Sequence, residues 1–90
     1  MSKAHVDPAE LRRFSSELVR FNNDQEAALS SLQGKLRGLE STWRDPQQIK
    51  FRESFEQALK AFGKFLDESR EHAQTLSKKA TQIEEYLKGG

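Results

Sequence analysis

Residues 43–48 read Trp43-Arg44-Asp45-Pro46-Gln47-Gln48, and this hexapeptide divides the chain into two helical halves. Pro46 disfavours helical geometry at Asp45 and has no amide to donate, so a helix arriving from the N-terminal side must stop before it. The same residues start the next helix. Asp45 offers a carboxylate to orphan amides, Pro46 suits the first helical position, and Gln48 stands three residues after the cap. Working back, Asp7-Pro8-Ala9-Glu10 repeats that grammar. The elements expected are helix one over about 8–43, an elbow at about 44–46 and helix two over about 46–87, with Gly89 and Gly90 closing the second.

Between these signals the large side chains step by three and four. In helix one they fall at Leu11, Phe14, Leu18, Phe21, Gln25, Leu29, Leu32, Leu36, Leu39 and Trp43, with one extra four-residue step at the centre. In helix two they fall at Phe55, Leu59, Phe62, Leu66, Ser69, Ala73, Leu76, Ala80, Ile83 and Leu87. Both are bundle-type seams. An elbow this short forces the helices antiparallel, so residues whose numbers sum to about 90 should meet. Leu18 and Phe21 are expected opposite Ser69 and Ala73, and Gln25 and Ala28 opposite Phe62 and Phe65. The fold class is all-α, an antiparallel two-helix hairpin with large residues facing small ones.

Two features exceed what one hairpin uses. Phe51, Ala58, Phe65, His72, Lys79 and Tyr86 recur every seven residues beside the helix-two seam, widening its apolar face. On helix one, Ala27, Ser31, Gly34, Gly38 and Ser41 form a strip of small side chains, expected about 100° from the seam. Gly34 and Gly38 each cost about 1 kcal/mol relative to Ala in a helix interior, which a close backbone approach would offset. The expected dimer interface is Ala27, Ser31, Gly34, Gly38, Phe51, Phe65, His72 and Tyr86. Through it two hairpins would form a four-helix bundle, the partner being the chain itself or a related hairpin.

Composition limits the function classes. A chain of 90 residues carries one domain near the lower limit for a self-sufficient core, which favours association. Fifteen Lys and Arg against fourteen Asp and Glu are interspersed, a solvated surface and not a nucleic-acid footprint. No apolar run approaches the ~20 residues of a membrane span, and Met1 to Leu11 holds no apolar stretch of a Sec-type signal peptide. With no Cys, disulfides and thiolate chemistry are excluded. His5 and His72 are far apart, and Glu68 and Glu71 beside His72 read as surface neighbours, so no metal site is expected. Glu84-Glu85 and Asp67-Glu68 are consecutive on a helix and diverge, unlike a catalytic carboxylate pair. No phosphate loop or nucleophile elbow occurs. Neither an enzyme nor a cofactor site is expected.

The elbow also carries a resemblance. A Trp closing the first helix near the middle of a short helical hairpin, with an aromatic eight residues on, resembles the WXG family of early-secreted-antigen-like proteins. The residues carrying it are Trp43 and Phe51, and it extends over nearly the whole chain. The sequence departs from the family pattern at the Gly two residues after Trp, where Asp45 stands before Pro46. The resemblance implies an antiparallel hairpin that pairs as a homodimer or heterodimer and is exported through type VII secretion, with Trp43, Arg44, Asp45, Pro46 and Phe51 as the elbow motif. Many members carry Tyr followed four residues later by an acidic group, whereas Tyr86 is followed by Gly90. The leading expectation is a secretion substrate or adaptor, leaving without a Sec signal and in contact with secretion machinery. The alternatives are a polymerising subunit resembling a type III needle protein and a cytoplasmic coiled-coil adaptor.

Overall fold

A computed structural model describes residues 6–89, with His5 and Gly90 lying outside them. Among the described residues there are two helices, α1 (Pro8–Glu40) and α2 (Pro46–Gly89). Both begin as the sequence dictates. The Asp7 carboxylate accepts the Ala9 amide at 2.9 Å, and Asp45 Oδ1 accepts the Gln48 amide at 3.1 Å. Helix α1 ends at Glu40, short of Trp43. The cause lies in Ser41 and Thr42. Their amides turn to the carbonyls three residues back, Gly38 and Leu39, at 3.2 and 3.1 Å, and their hydroxyls donate to the same carbonyls at 2.6 and 3.2 Å. Short hydroxyl side chains of this kind tighten and terminate a helix. The elbow is therefore longer than expected, and α2 in turn runs to Gly89.

The two helices are antiparallel over a body of 67 × 24 × 16 Å. Cross-helix pairs run Arg12 with Glu84, Ser15 with Ala73, Asn22 with Ser69, Glu26 with Arg70 and Glu40 with Arg52. Their numbers sum close to the expected value. On α2 the inward residues are those the periodicity selects: Leu66, Ser69, Ala73 and Ala80 are buried, and Phe55, Leu59, Phe62, Leu76 and Ile83 are half-buried. Leu87 is exposed, because it lies beyond the level at which α1 begins.

On α1 the seam differs from expectation. Leu11, Leu18, Gln25, Leu29, Leu36 and Trp43 are half-buried, but Phe14 is 57% exposed and Phe21 45%, and Leu32 and Leu39 are exposed as well. The inward places go to Ser15 and to Asn22, which is 1% exposed. Small residues on α2 explain the exchange. Ser69, Ala73 and Ala80 let the backbones approach closely, and side chains directly between close backbones must be short. Hydrogen bonds hold part of this layer: Ser15 Oγ donates to the Ala73 carbonyl at 2.8 Å, and Ser69 Oγ donates to Asn22 Oδ1 at 2.7 Å, while Asn22 Nδ2 has no partner among the described residues. Ala28 and Phe65 are likewise exposed, leaving Gln25 and Phe62 to represent their layer.

A two-faced hairpin results. Most of the exposed aromatic residues stand one position before an inward one, as Phe14 before Ser15, Phe21 before Asn22 and Phe65 before Leu66, and Leu39 stands likewise before Glu40; Val19 and Ile49 follow inward residues and lie on the other side. Antiparallel helices are related by a two-fold axis between them, so equal offsets on α1 and α2 place side chains on the same side. Arg12, Glu26, Arg70 and Glu84 each stand one position after an inward residue and pair across the opposite side. One long face is apolar and open; the other is laced with ion pairs.

Candidate interaction face and elbow

At the elbow, the Trp43 and Phe51 rings lie 5.6 Å apart, tilted by 43°, and Phe51 stacks on Phe55 at 5.4 Å. This aromatic ladder ties the chain leaving α1 to the second turn of α2, and such ring pairs add attraction beyond their buried area. The Trp43 amide still reaches the Leu39 carbonyl at 2.9 Å, which holds its backbone against the end of α1. Asp45 caps α2, and Arg44 is exposed beside it.

Sequence reasoning missed the polar clamp below the ladder. Glu40 Oε2 accepts from Gln48 Nε2 and from Arg52 Nη1, each at 3.2 Å. Gln48 is buried. Its position three residues after Asp45 reads as a capping box, yet its side chain turns to the last residue of α1. Only the folded elbow brings Glu40 within reach, so spacing alone does not reveal the clamp. The clamp also bears on the absent motif glycine. Among the described residues none has a positive φ, so the turn uses no left-handed position that would call for Gly.

Along the apolar face, Phe51, Phe65, His72 and Tyr86 are all exposed, Tyr86 at 78%. Phe62 and Phe65 stack at 5.8 Å, linking the inner seam to this surface. Helix α1 contributes Phe14, Phe21, Leu32 and Leu39, the residues that periodicity had assigned to the inner seam. The small strip lies elsewhere. Ala27, Ser31, Gly34 and Gly38 are exposed on the back of α1, roughly 160° from its inward line at ~100° per residue. A Cβ added at Gly34 or Gly38 would meet nothing within 4 Å among the described residues.

The ion-paired side fixes register. Arg12 donates two hydrogen bonds to Glu84, at 2.9 and 2.6 Å, and a third to Thr81 at 2.8 Å. The hydrogen bond from Arg12 holds the Glu84 carboxyl below its usual value, and the same bond raises the guanidinium. Arg70 reaches Glu26 at 2.7 Å and Asp67 at 3.6 Å. A shallow groove of about 550 Å³ runs between the helices on this side, with Ser15, Asn22, Arg70 and Ser77 among its walls. Among the described residues no His, Cys, Asp or Glu group could hold a metal ion, and no helix is long and apolar enough to cross a membrane.

Comparison with known proteins agrees with this architecture. Two crystal structures of the secreted protein EsxB from Bacillus anthracis str. Sterne share the fold. One, a glycine-to-alanine mutant, has a TM-score of 0.80 and 23% identity, covering 93% of this chain and 97% of that chain. The other, selenomethionine-labelled, has a TM-score of 0.81 and 22% identity, covering 96% and 98%. A search of curated protein sequences finds no match. Residues 3–86 match the family described as WXG100, proteins of 100 residues with WXG. With that match running over nearly all of its sequence, this two-faced helical hairpin belongs to the WXG100 family.

Proposed function

We propose that the protein is a type VII secretion substrate or adaptor that works as a pair of hairpins. The apolar face carries this reading. Phe14, Phe21, Phe51, Phe65 and Tyr86 are exposed along one side of a body 67 by 24 Å, an area able to supply the ~800 Å² per partner of a standard stable interface. A monomer rarely exposes an apolar stripe of this extent without a partner for it. The first partner to consider is a second copy, giving a closed four-helix bundle; a related hairpin is the other.

Family membership and the printed description of EsxB as a secreted protein support export. In this reading the Trp43–Phe51 ladder at the elbow is the end that secretion machinery recognises, and His72 lies at the rim of the pairing face. Pairing and export are separable. The test compares the chain in culture medium and in cells for the parent and for Trp43→Ala, with helicity measured on the purified proteins. Trp43→Ala should lower the exported fraction several-fold while the helicity stays. Equal loss of both would make Trp43 a packing residue and leave the recognition role without support.

A further inference from the structure

Helix α1 carries two competing inward faces. The one observed turns Ser15, Asn22 and Glu40 toward α2, while the residues immediately before them, Phe14, Phe21 and Leu39, stand at the rim. Leu11, Leu18, Leu29 and Leu36 belong to both faces. At ~100° per residue the mean directions of the two sets differ by roughly 40°, a small roll about the axis of a helix whose leucines would stay inward throughout.

The observed face is the less apolar of the two. Asn22 is almost wholly buried, and its Nδ2 has no hydrogen-bond partner among the described residues. Its Oδ1 is held by Ser69, which does not line the groove on the ion-paired side, whereas Asn22 and Ser15 do. Rolling α1 would carry Asn22 further toward that groove and so to water, and would bring Phe14 and Phe21 over the small residues Ala73 and Ser69. A partner lying on the apolar face would cover both rings where they now stand and remove the advantage of turning them in.

We propose that α1 rolls by this small angle between the unpaired and paired chain, the arrangement seen here being the one competent to pair. The proposal rests on the pairing reading above. Burying the two rings competes with presenting them, so the pairing surface of α1 is assembled only when a partner is there to cover it. Leu11, Leu18, Leu29 and Leu36 act as the axle, and the unpaired Asn22 Nδ2 biases the free chain toward the rolled state.

Phe65→Asp, on the outer face of α2, supplies an unpaired chain; it removes one stacking contact with Phe62, so helicity is measured beside it. The side-chain NH₂ signals of Asn22 are followed by NMR in both proteins while a soluble paramagnetic chelate is added. They should broaden several-fold more in Phe65→Asp than in the paired parent. A pair whose Asn22 signals are as protected as those of the single chain would overturn the roll and leave pairing intact. If the parent proves monomeric by mass, pairing fails on that ground, and its own Asn22 signals decide the roll: broadened supports it, protected refutes it. As a second variant, Asn22→Leu favours the observed face and should tighten pairing by roughly tenfold; unchanged or weaker pairing would count against the proposal.

Discussion

Ser69 donates its hydroxyl proton to Asn22 Oδ1 across the two helices at 2.7 Å, and this bond stands among the best-buried side chains of the hairpin. It is a polar layer where an apolar one would pack. Ser69→Ala alone strips the carboxamide of its one partner among the described residues and should destabilise the fold by about 1–3 kcal/mol, the cost of a buried polar group left unsatisfied. Adding Asn22→Leu should recover most of that loss, because replacing both partners by apolar groups is close to neutral. Urea midpoints of the three proteins check this; a double variant less stable than Ser69→Ala would contradict it.

The elbow clamp should be equally open to measurement. Glu40 receives both Gln48 and Arg52, so Glu40→Ala leaves the buried Gln48 amide without its acceptor and should cost about 1–2 kcal/mol. Trp43 is the only Trp in the chain, so its fluorescence reports the elbow alone. A shift toward the emission of a solvated indole is expected in Glu40→Ala. Unchanged emission and stability would mean that the aromatic ladder holds the elbow unaided.

Acid should release the far end of the hairpin. The Arg12 hydrogen bond depresses the Glu84 carboxyl, so its stabilising contribution is complete above about pH 4.3, the ordinary carboxylate value. It is lost as pH falls through the lowered folded value. Arg12, shifted upward, stays protonated throughout. Glu84→Gln should therefore be less stable than the parent at about pH 7, with the gap closing as the pH falls through the lowered folded value. A stability gap that persists in acid would point to packing of the Glu84 stem and not to its charge.

The small strip behaves as free surface in this account. Gly38→Ala should raise stability by about 1 kcal/mol from helix propensity alone, since the added methyl would meet no packed neighbour within 4 Å among the described residues. Gly38→Leu should leave pairing intact, because Gly38 faces away from the apolar side. Loss of the paired species in Gly38→Leu would return the strip to the interface.

Much of this architecture was legible in the sequence. Asp7-Pro8 and Asp45-Pro46 mark both helix starts because capping is local chemistry, and the α2 seam from Phe55 to Ile83 follows from an unbroken heptad pattern. What escaped was the rotation of α1. Phe14 and Phe21 sit one residue from Ser15 and Asn22, and hydrophobicity alone awards the inner place to the phenyl rings. The choice depends on how closely the backbones approach at Ser69, Ala73 and Ala80, on the hydrogen bonds available there, and on the outer face an isolated seam cannot reveal. The Glu40 clamp was hidden for a related reason, since its partners lie across a turn whose geometry had first to be known. Trp43 and Phe51 were singled out as a pair by the family resemblance alone, and the contact between their rings came only with the folded elbow.

Solution mass decides whether the apolar face is a pairing surface. Light scattering on the parent and on Phe65→Asp over a concentration series should give a stable species at twice the 10.3 kDa chain mass for the parent. Phe65→Asp should give the single-chain mass with its helicity retained. A parent that stays at the single-chain mass at every concentration, or a Phe65→Asp variant that keeps the doubled mass, would contradict the assignment.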